Sequence, residues 1–190
     1  MLKKLFLLAS LAALTCAAAV PRPAGSVPFE VPGKGKDDIA NYKGKVVIFA
    51  AFITTCPHCQ FTTQVLSGIQ RDFKSRGVQV IQVVFNDTDT PDVLREFVAK
   101  YQPPHPVGIV DGAYFVKWSG VTPEMRPTVP MVYIIDRQGV IQAEYMGASP
   151  MMEEKYQNEN LRAKLMQYLS AAPGAGTPKA APAKAKPAKK

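Results

Sequence analysis

FAAFITTCPHCQFTTQ, residues 49–64, sets two cysteines between a continuous apolar run and an amphipathic segment. The apolar run over 45–53 has the length of a strand that is buried on both faces of a sheet. Downstream of the cysteines, apolar residues recur every four positions, which predicts one face of a helix: Phe61, Val65, Ile69 and Phe73. The two cysteines therefore lie where a buried strand turns into a helix.

The turn into this helix suits sulfur chemistry. Pro57 stands at the first helical position, where the missing N–H costs nothing. A sulfur at Cys56 would face the unpaired N–H groups and the positive dipole end of the helix, which favours the thiolate. Cys59 follows by less than one turn and would lie deeper, under the helix. This spacing predicts Cys56 as the attacking sulfur and Cys59 as the sulfur that resolves the mixed disulfide.

The start of the chain predicts export. Residues 1–19 hold two lysines, an apolar run and small residues in the order of a secretory signal peptide. Two alternatives stay open: the run could be kept as an anchor, although it is shorter than the ~20 residues that span a bilayer, or Cys16 could carry a lipid. We expect a periplasmic or otherwise extracytoplasmic protein that keeps Cys56 and Cys59 as its cysteines.

The other end predicts a disordered basic tail over 171–190, because these residues are mostly Ala, Pro, Gly and Lys. The leader and the tail hold seven of the 23 basic residues, which leaves 16 basic against 15 acidic residues elsewhere. The formal net charge of +8 therefore belongs to the two ends. We expect no nucleic-acid partner, and either a tail that contacts anionic surfaces or a solvated spacer.

A pair of cysteines at this spacing could also bind zinc or form a structural disulfide. Zinc needs two further ligands, and only His58 and His105 are available. An exported domain stapled by disulfides would carry more cysteines at wider spacing. We therefore expect redox exchange, without a metal or another cofactor.

Further along, strand-like runs alternate with helical patterns: strands over 78–85 and 106–110, each followed by a helical or turn segment. The runs VPMVYIID and GVIQAEYMG, separated by a short turn, then predict a β-hairpin, and a helix follows. This order predicts an α/β protein: a mixed central sheet, helices on both faces, and a C-terminal β-hairpin plus helix. We assign 20–28 to an N-terminal linker and 29–170 to a single domain.

The combination of strand, CPHC, helix and a later proline that opens a hairpin strand (TVPMVYIIDRQG) resembles the thioredoxin fold. From Phe29 to Leu169 the chain is similar to the exported TlpA/ResA-like thiol–disulfide oxidoreductases, notably in NYKGKVVIFAAFITTCPHC and PVGIVDGAYFVKWSGV. This resemblance implies a cis-proline at Pro130 that faces the dithiol, and substrate pairing along the backbone of Val129. The alternatives are Pro127 as the cis-proline and an ordinary trans bond before Pro130.

The chain departs from that family at several positions. Phe52 and Thr55 stand where tryptophans commonly precede the two cysteines. Ala50 stands where thioredoxin keeps a buried acid beneath the resolving cysteine. For the family's other acid, after the second strand, the chain offers only the segment NDTD, in which Asp87 is the candidate.

We therefore expect an exported thiol–disulfide oxidoreductase that reduces, oxidises or exchanges disulfides in cysteine-containing exported proteins. The resemblance to TlpA/ResA-like proteins also implies a membrane protein as the partner for electron transfer. His58, if it stabilises the Cys56 thiolate, would make the disulfide more oxidising, as CPHC does in DsbA-type oxidants; a solvated His58 without an electronic role is the alternative. Most TlpA/ResA-like proteins are reductases, so the physiological direction stays open.

Three other functions could use the same pair of cysteines. A peroxiredoxin-type thiol peroxidase carries P-x-x-x-[ST]-x-x-C, and Phe49 and Ile53 occupy the two positions that this pattern fixes ahead of the cysteine. A Cu(I)-binding or delivery module would add Met125, Met131 or Met151 to the two cysteines. A binding or chaperone module would use the site without exchange.

Overall fold

The computed structural model describes residues 20–170, so the predicted leader and tail lie outside the described residues. The strands of this part of the chain are β1 (Arg22–Pro23), β2 (Pro28–Val31), β3 (Gly35–Asp38), β4 (Val46–Phe52), β5 (Val78–Val84), β6 (Val107–Ile109), β7 (Met131–Ile135) and β8 (Val140–Tyr145). Its α-helices are α1 (Pro57–Phe73), α2 (Pro91–Tyr101), α3 (Gly112–Ser119) and α4 (Glu154–Ser170).

The strands form one mixed sheet in the order β1-β8-β7-β4-β5-β6-β2-β3. The strand pairs β4–β5 and β5–β6 are parallel, whereas β7 is antiparallel to both β4 and β8. All seven residues of β4 are buried, as expected for a central strand covered on both faces. The predicted α/β class, the mixed sheet and the C-terminal hairpin with its helix are confirmed.

Helices cover the sheet on both faces and create separate apolar layers. On one face, Leu66 of α1 and Leu161 of α4 pack with alternate residues of the central strands. On the other face, Phe115 of α3 packs with Phe49 and Tyr133. Within residues 20–170, none of the helices combines the length and apolarity required to cross a bilayer.

Residues 20–28, which we predicted to be a linker, are instead part of the folded domain. β1 pairs with β8 at one edge of the sheet. Arg22 donates hydrogen bonds to the Ser119 carbonyl and to Glu144, both at 3.1 Å, and lies 5.4 Å from the Trp118 ring. The Trp118 indole N–H in turn donates to the carbonyl of Ala24 at 2.6 Å. These polar contacts with the end of α3 hold a segment whose composition alone resembles a linker.

The buried face of α1 is more polar than its four-residue apolar repeat predicts. Phe61 and Val65 are only half-buried, whereas four polar side chains are buried: Thr62, Thr63, Ser67 and Gln70. Each of these side chains makes hydrogen bonds within the protein, which offsets the cost of removing it from water. The helix is therefore rotated relative to the expected apolar stripe.

A buried hydrogen-bonded chain connects this face to the sheet. The Nε2–H of His105 donates to the Gln82 side-chain oxygen at 2.7 Å, since that oxygen can only accept. The Gln82 amide donates to the Thr63 hydroxyl at 3.1 Å, and this hydroxyl donates to the Cys59 carbonyl at 3.0 Å. Burial, with a smaller contribution from the charge of Arg71, lowers the pKa of His105 to about 3. The imidazole is therefore neutral and part of the core.

This neutral histidine predicts a pH dependence of stability. An unfolded chain takes up a proton on His105 near pH 6.5, whereas the folded chain resists protonation down to about pH 3. The unfolded state thus binds more protons in this window, and stability is lost as the pH falls. Urea unfolding at pH 7 and pH 4 should show about 3 kcal/mol more loss in the wild type than in His105→Gln, which keeps a donor for Gln82. Equal losses in both proteins would contradict this assignment.

Candidate active site

The two cysteines lie where β4 runs into α1. Cys56 is the N-cap of α1, and its Sγ accepts the backbone N–H of Cys59 at 3.3 Å. Pro57 is exposed at the first helical position. The backbone N–H of Cys56 donates to the Ile53 carbonyl at 3.2 Å, which closes the turn between strand and helix. The Cys56 sulfur therefore lies at the positive end of a 17-residue helix.

The two thiols differ in exposure. Cys56 is partly exposed, whereas Cys59 has no exposed surface and packs with Phe52, Val84 and Leu94. Burial, and then the hydrogen bond and charge of the neighbouring sulfur, raise the pKa of Cys59 well above its ordinary value. Cys59 is thus a protonated thiol at neutral pH, and Cys56 is the sulfur that a partner can reach. Both are free thiols in this structure.

A cis peptide bond lies beside the dithiol, between Val129 and Pro130. Val129 and Cys56 both pack against the apolar cluster that contains Cys59. Gly147 supports this loop from behind, because a Cβ at position 147 would lie 2.2 Å from the Val129 carbonyl oxygen. The Gly147 N–H donates to the Thr128 carbonyl at 3.1 Å. The structure thus brings Val129 and Pro130 together with the two cysteines.

The buried acid near the dithiol is Asp89, so the choice of Asp87 was wrong. Asp87 is exposed, whereas Asp89 is 3% exposed. Asp89 accepts the Thr54 backbone N–H at 3.1 Å and also the Thr54 hydroxyl, and its charge contributes to the raised pKa of Cys59. In the sequence, Asp89 differs from Asp87 in that it directly precedes Thr90, the N-cap of α2. At this position the Asp89 side chain faces inward and contacts Thr54, which follows β4.

The other positions that depart from the TlpA/ResA pattern lie in different surroundings. Ala50 is fully buried in β4. Phe52 is also fully buried and packs on Phe97 with the ring centroids 5.0 Å apart. It therefore packs in the core with Cys59 and contributes no aromatic surface around the dithiol. Thr55 is exposed. The surface around Cys56 is therefore less aromatic than in that family.

His58 is the second residue of α1 and is half-buried. Its Nε2 is shielded from solvent and has no hydrogen-bond partner among residues 20–170, and its carbonyl accepts the Thr62 hydroxyl at 2.8 Å. No hydrogen bond between the His58 ring and the Cys56 sulfur is found in this part of the chain. The more oxidising couple that we expect from His58 therefore stays a prediction.

The residues proposed as metal ligands are dispersed. His105 is hydrogen-bonded to Gln82 in the core. Met131 is buried in β7, whereas Met125 is exposed on the loop before Pro130. Within residues 20–170, the Cys, His, Asp and Glu side chains form no group of three or more that could hold a metal ion.

Comparison with known proteins agrees with this geometry. The family model described as Redoxin matches residues 29–165. Proteins named thiol-disulfide oxidoreductase ResA, from Bacillus thuringiensis and Bacillus cereus, are 28% identical over 118 residues, which is 62% of this chain and 64% of theirs. The chain thus matches less than two thirds of the length of these relatives.

Solved structures share the fold at low sequence identity. A Chlorobium tepidum structure described as a putative thiol:disulfide interchange protein DsbE has a TM-score of 0.67 and 19% identity, over 78% of this chain and 96% of that one. A Bacteroides thetaiotaomicron structure described as a putative protein disulfide isomerase has a TM-score of 0.62 and 15% identity, over 78% and 89%. These similarities confirm the thioredoxin-like fold.

The position of Asp89 predicts an effect on the buried thiol. We expect Asp89→Asn to lower the pKa of Cys59, because the substitution removes a negative charge that disfavours the thiolate. The pH dependence of Cys59 alkylation by iodoacetamide, measured in a Cys56→Ser background with and without Asp89→Asn, tests this. Asp87→Asn is the matched control and should leave the profile in place. An unmoved profile in Asp89→Asn, or an equal movement in the control, would contradict the assignment.

Proposed function

The chain belongs to the Redoxin family, and from this premise we propose that it is a thiol–disulfide oxidoreductase. The observation that carries the proposal is the division between two sulfurs. Cys56 is partly exposed at the helix end, and its Sγ accepts the N–H of Cys59, whose own thiol is buried and protonated. Cys56 is therefore the sulfur that can react with a substrate disulfide, and Cys59 is the sulfur that can resolve the resulting mixed disulfide.

In the reducing direction, the Cys56 thiolate attacks one sulfur of a substrate disulfide. The substrate S–S bond breaks, its other sulfur leaves as a thiolate that takes up a proton, and a mixed disulfide joins Cys56 to the substrate. Cys59 then loses its proton and attacks Cys56, and the second substrate sulfur leaves. Two electrons have moved to the substrate, and Cys56 and Cys59 are joined by a disulfide. The oxidising direction is the reverse.

Proton transfer at Cys59 needs an acceptor, because a buried thiol is a poor nucleophile until it ionises. We assign this role to Asp89, the buried carboxylate whose charge acts on Cys59. The two hydrogen bonds from Thr54 hold that carboxylate in place beside the turn. Ala50 offers no acid from the sheet below.

Substrate and location extend this proposal. Val129, which packs against the cluster around Cys59, and the adjoining Pro130 support pairing of an extended substrate segment beside the dithiol, with cysteine-containing exported proteins as the substrate class. The leader over 1–19 supports an extracytoplasmic location, and a membrane electron-transfer partner would return the dithiol to its working state. Pro57 and His58 would tune the couple, as the residues between the two sulfurs.

Single cysteine variants test the exchange mechanism. In an insulin-reduction assay with dithiothreitol as reductant, both Cys56→Ser and Cys59→Ser should fall to background, because each removes one of the two sulfurs in the cycle. Cys59→Ser should also accumulate mixed disulfides with substrate that Cys56→Ser does not form, visible by mass spectrometry without reductant. Trapping by Cys56→Ser alone would reverse the roles.

The rival functions predict different results from the same proteins. A peroxidase would consume hydrogen peroxide in Cys59→Ser but not in Cys56→Ser. A copper module would bind one Cu(I) tightly through both sulfurs and show little turnover of insulin. Either pattern would replace the oxidoreductase proposal.

A further inference from the structure

A buried hydrogen-bonded chain connects helix α4 to the turn that carries the dithiol. Thr62 of α1 and Gln157 of α4 have no exposed surface. The Gln157 side-chain amide donates to the Thr62 hydroxyl at 2.9 Å, and this hydroxyl donates to the carbonyl of His58 at 2.8 Å. The hydroxyl has a single proton, and the His58 carbonyl is a nearer acceptor than the Gln157 side-chain oxygen at 3.3 Å. The chain therefore runs from Gln157 through Thr62 to His58.

The chain ends on the peptide group that faces the reactive sulfur. The His58 carbonyl and the Cys59 N–H belong to one peptide group, and that N–H donates to the Cys56 sulfur at 3.3 Å. A peptide group whose carbonyl accepts a hydrogen bond is more polarised, and hydrogen bonds linked in this way strengthen one another by roughly 10–30% each. A stronger N–H donor favours the thiolate, because a hydrogen bond to the charged sulfur is stronger than one to the neutral thiol.

Gln157 is a polar residue in an otherwise apolar contact between two helices. Leu161, one turn later in α4, packs with Leu66 of α1 in the layer that covers this face of the sheet. Within residues 20–170, the Gln157 amide donates to Thr62 and, at 3.6 Å, to the Met152 sulfur, which is a weak acceptor. An apolar side chain would fill the same space without the cost of removing an amide from water. Packing alone therefore does not explain a glutamine at this position.

We propose that Gln157 and Thr62 are positioning residues of the redox site, which stabilise the Cys56 thiolate through the peptide group between them and thereby make the disulfide more oxidising. The inference rests on the proposed function, because it assigns both residues to the exchange cycle. When glutathione disulfide oxidises the dithiol, Cys56 and Cys59 lose two electrons and join, and two glutathione thiols are released. Stabilising the thiolate stabilises the reduced protein. Loss of the chain should therefore make this oxidation more favourable.

Two substitutions break the chain at different points: Thr62→Val removes the hydroxyl and nearly keeps the shape, and Gln157→Met removes the amide. The pKa of Cys56, read from the pH profile of its alkylation by iodoacetamide with mass spectrometry that separates Cys56 from Cys59, should rise by about 0.5 in Thr62→Val. Gln157→Met should raise it less, and the double variant no further than Thr62→Val, because Gln157 acts only through that hydroxyl. At a pH where Cys56 is ionised, the equilibrium with glutathione should shift about threefold toward the protein disulfide in Thr62→Val. Thr62→Ser keeps the hydroxyl and should keep the wild-type values.

The neighbouring residue in α1 supplies a matched control. Thr63 is also fully buried, accepts the Gln82 amide at 3.1 Å, and donates to the Cys59 carbonyl at 3.0 Å. That carbonyl belongs to the next peptide group, whose N–H, on Gln60, donates to the Cys56 carbonyl oxygen at 3.0 Å and not to the sulfur. Thr63→Val therefore removes an equally buried hydroxyl from an equivalent chain and should leave the Cys56 profile in place. Thermal unfolding checks that all variants are folded.

The titratable groups of the site, His58, Cys59 and Asp89, are the same in every variant, so a movement of the profile reports on the hydroxyl or the amide. An unmoved profile in folded Thr62→Val and Gln157→Met would overturn the proposal and leave the exchange function intact. So would an equal movement in Thr63→Val, since any disturbance of the helix would then have the same effect. Failure of wild type to form the disulfide with glutathione disulfide would instead count against the proposed function.

Discussion

The hydrogen bond from the Cys59 backbone N–H to the Cys56 sulfur is the interaction on which the site depends. It exists because Cys56 caps α1, and the cap is held by the fully buried strand β4, which ends four residues before it. The same geometry turns the second sulfur under the helix.

Burial, more than any single charge, separates the two thiols. At Cys59, removal from water contributes most to the raised pKa, ahead of the neighbouring sulfur and of Asp89. The hydrogen bond that Cys59 makes with the Ile53 backbone acts in the opposite direction and is outweighed. A buried thiol that stays protonated cannot compete with the exposed sulfur for the first encounter. The order of events in the proposed exchange follows from this difference in hydration.

Much of the fold could be predicted from local patterns, and the rest depended on long-range polar contacts. The buried strand β4, the hairpin and the proline before it could each be predicted from patterns within a few neighbouring residues. The attachment of residues 20–28 is not, because it depends on Arg22 reaching the end of α3. The sequence alone did not identify Asp89 as the buried acid, because Asp87 in the same segment is also acidic. Only the direction of the chain ahead of α2 decides which of the two is buried. The polar core face of α1 likewise needed its partners, such as Gln82, to be seen.

In the folded protein the Cys56 sulfur is accessible to reagents from solution, whereas the Cys59 sulfur is buried. Brief treatment of the reduced wild-type protein with limiting iodoacetamide at pH 7, followed by peptide mass spectrometry, tests it most directly. Cys56 should be alkylated much faster than Cys59, and unfolding in urea should remove the difference. Equal labelling in the folded protein, or faster labelling of Cys59, would contradict the account.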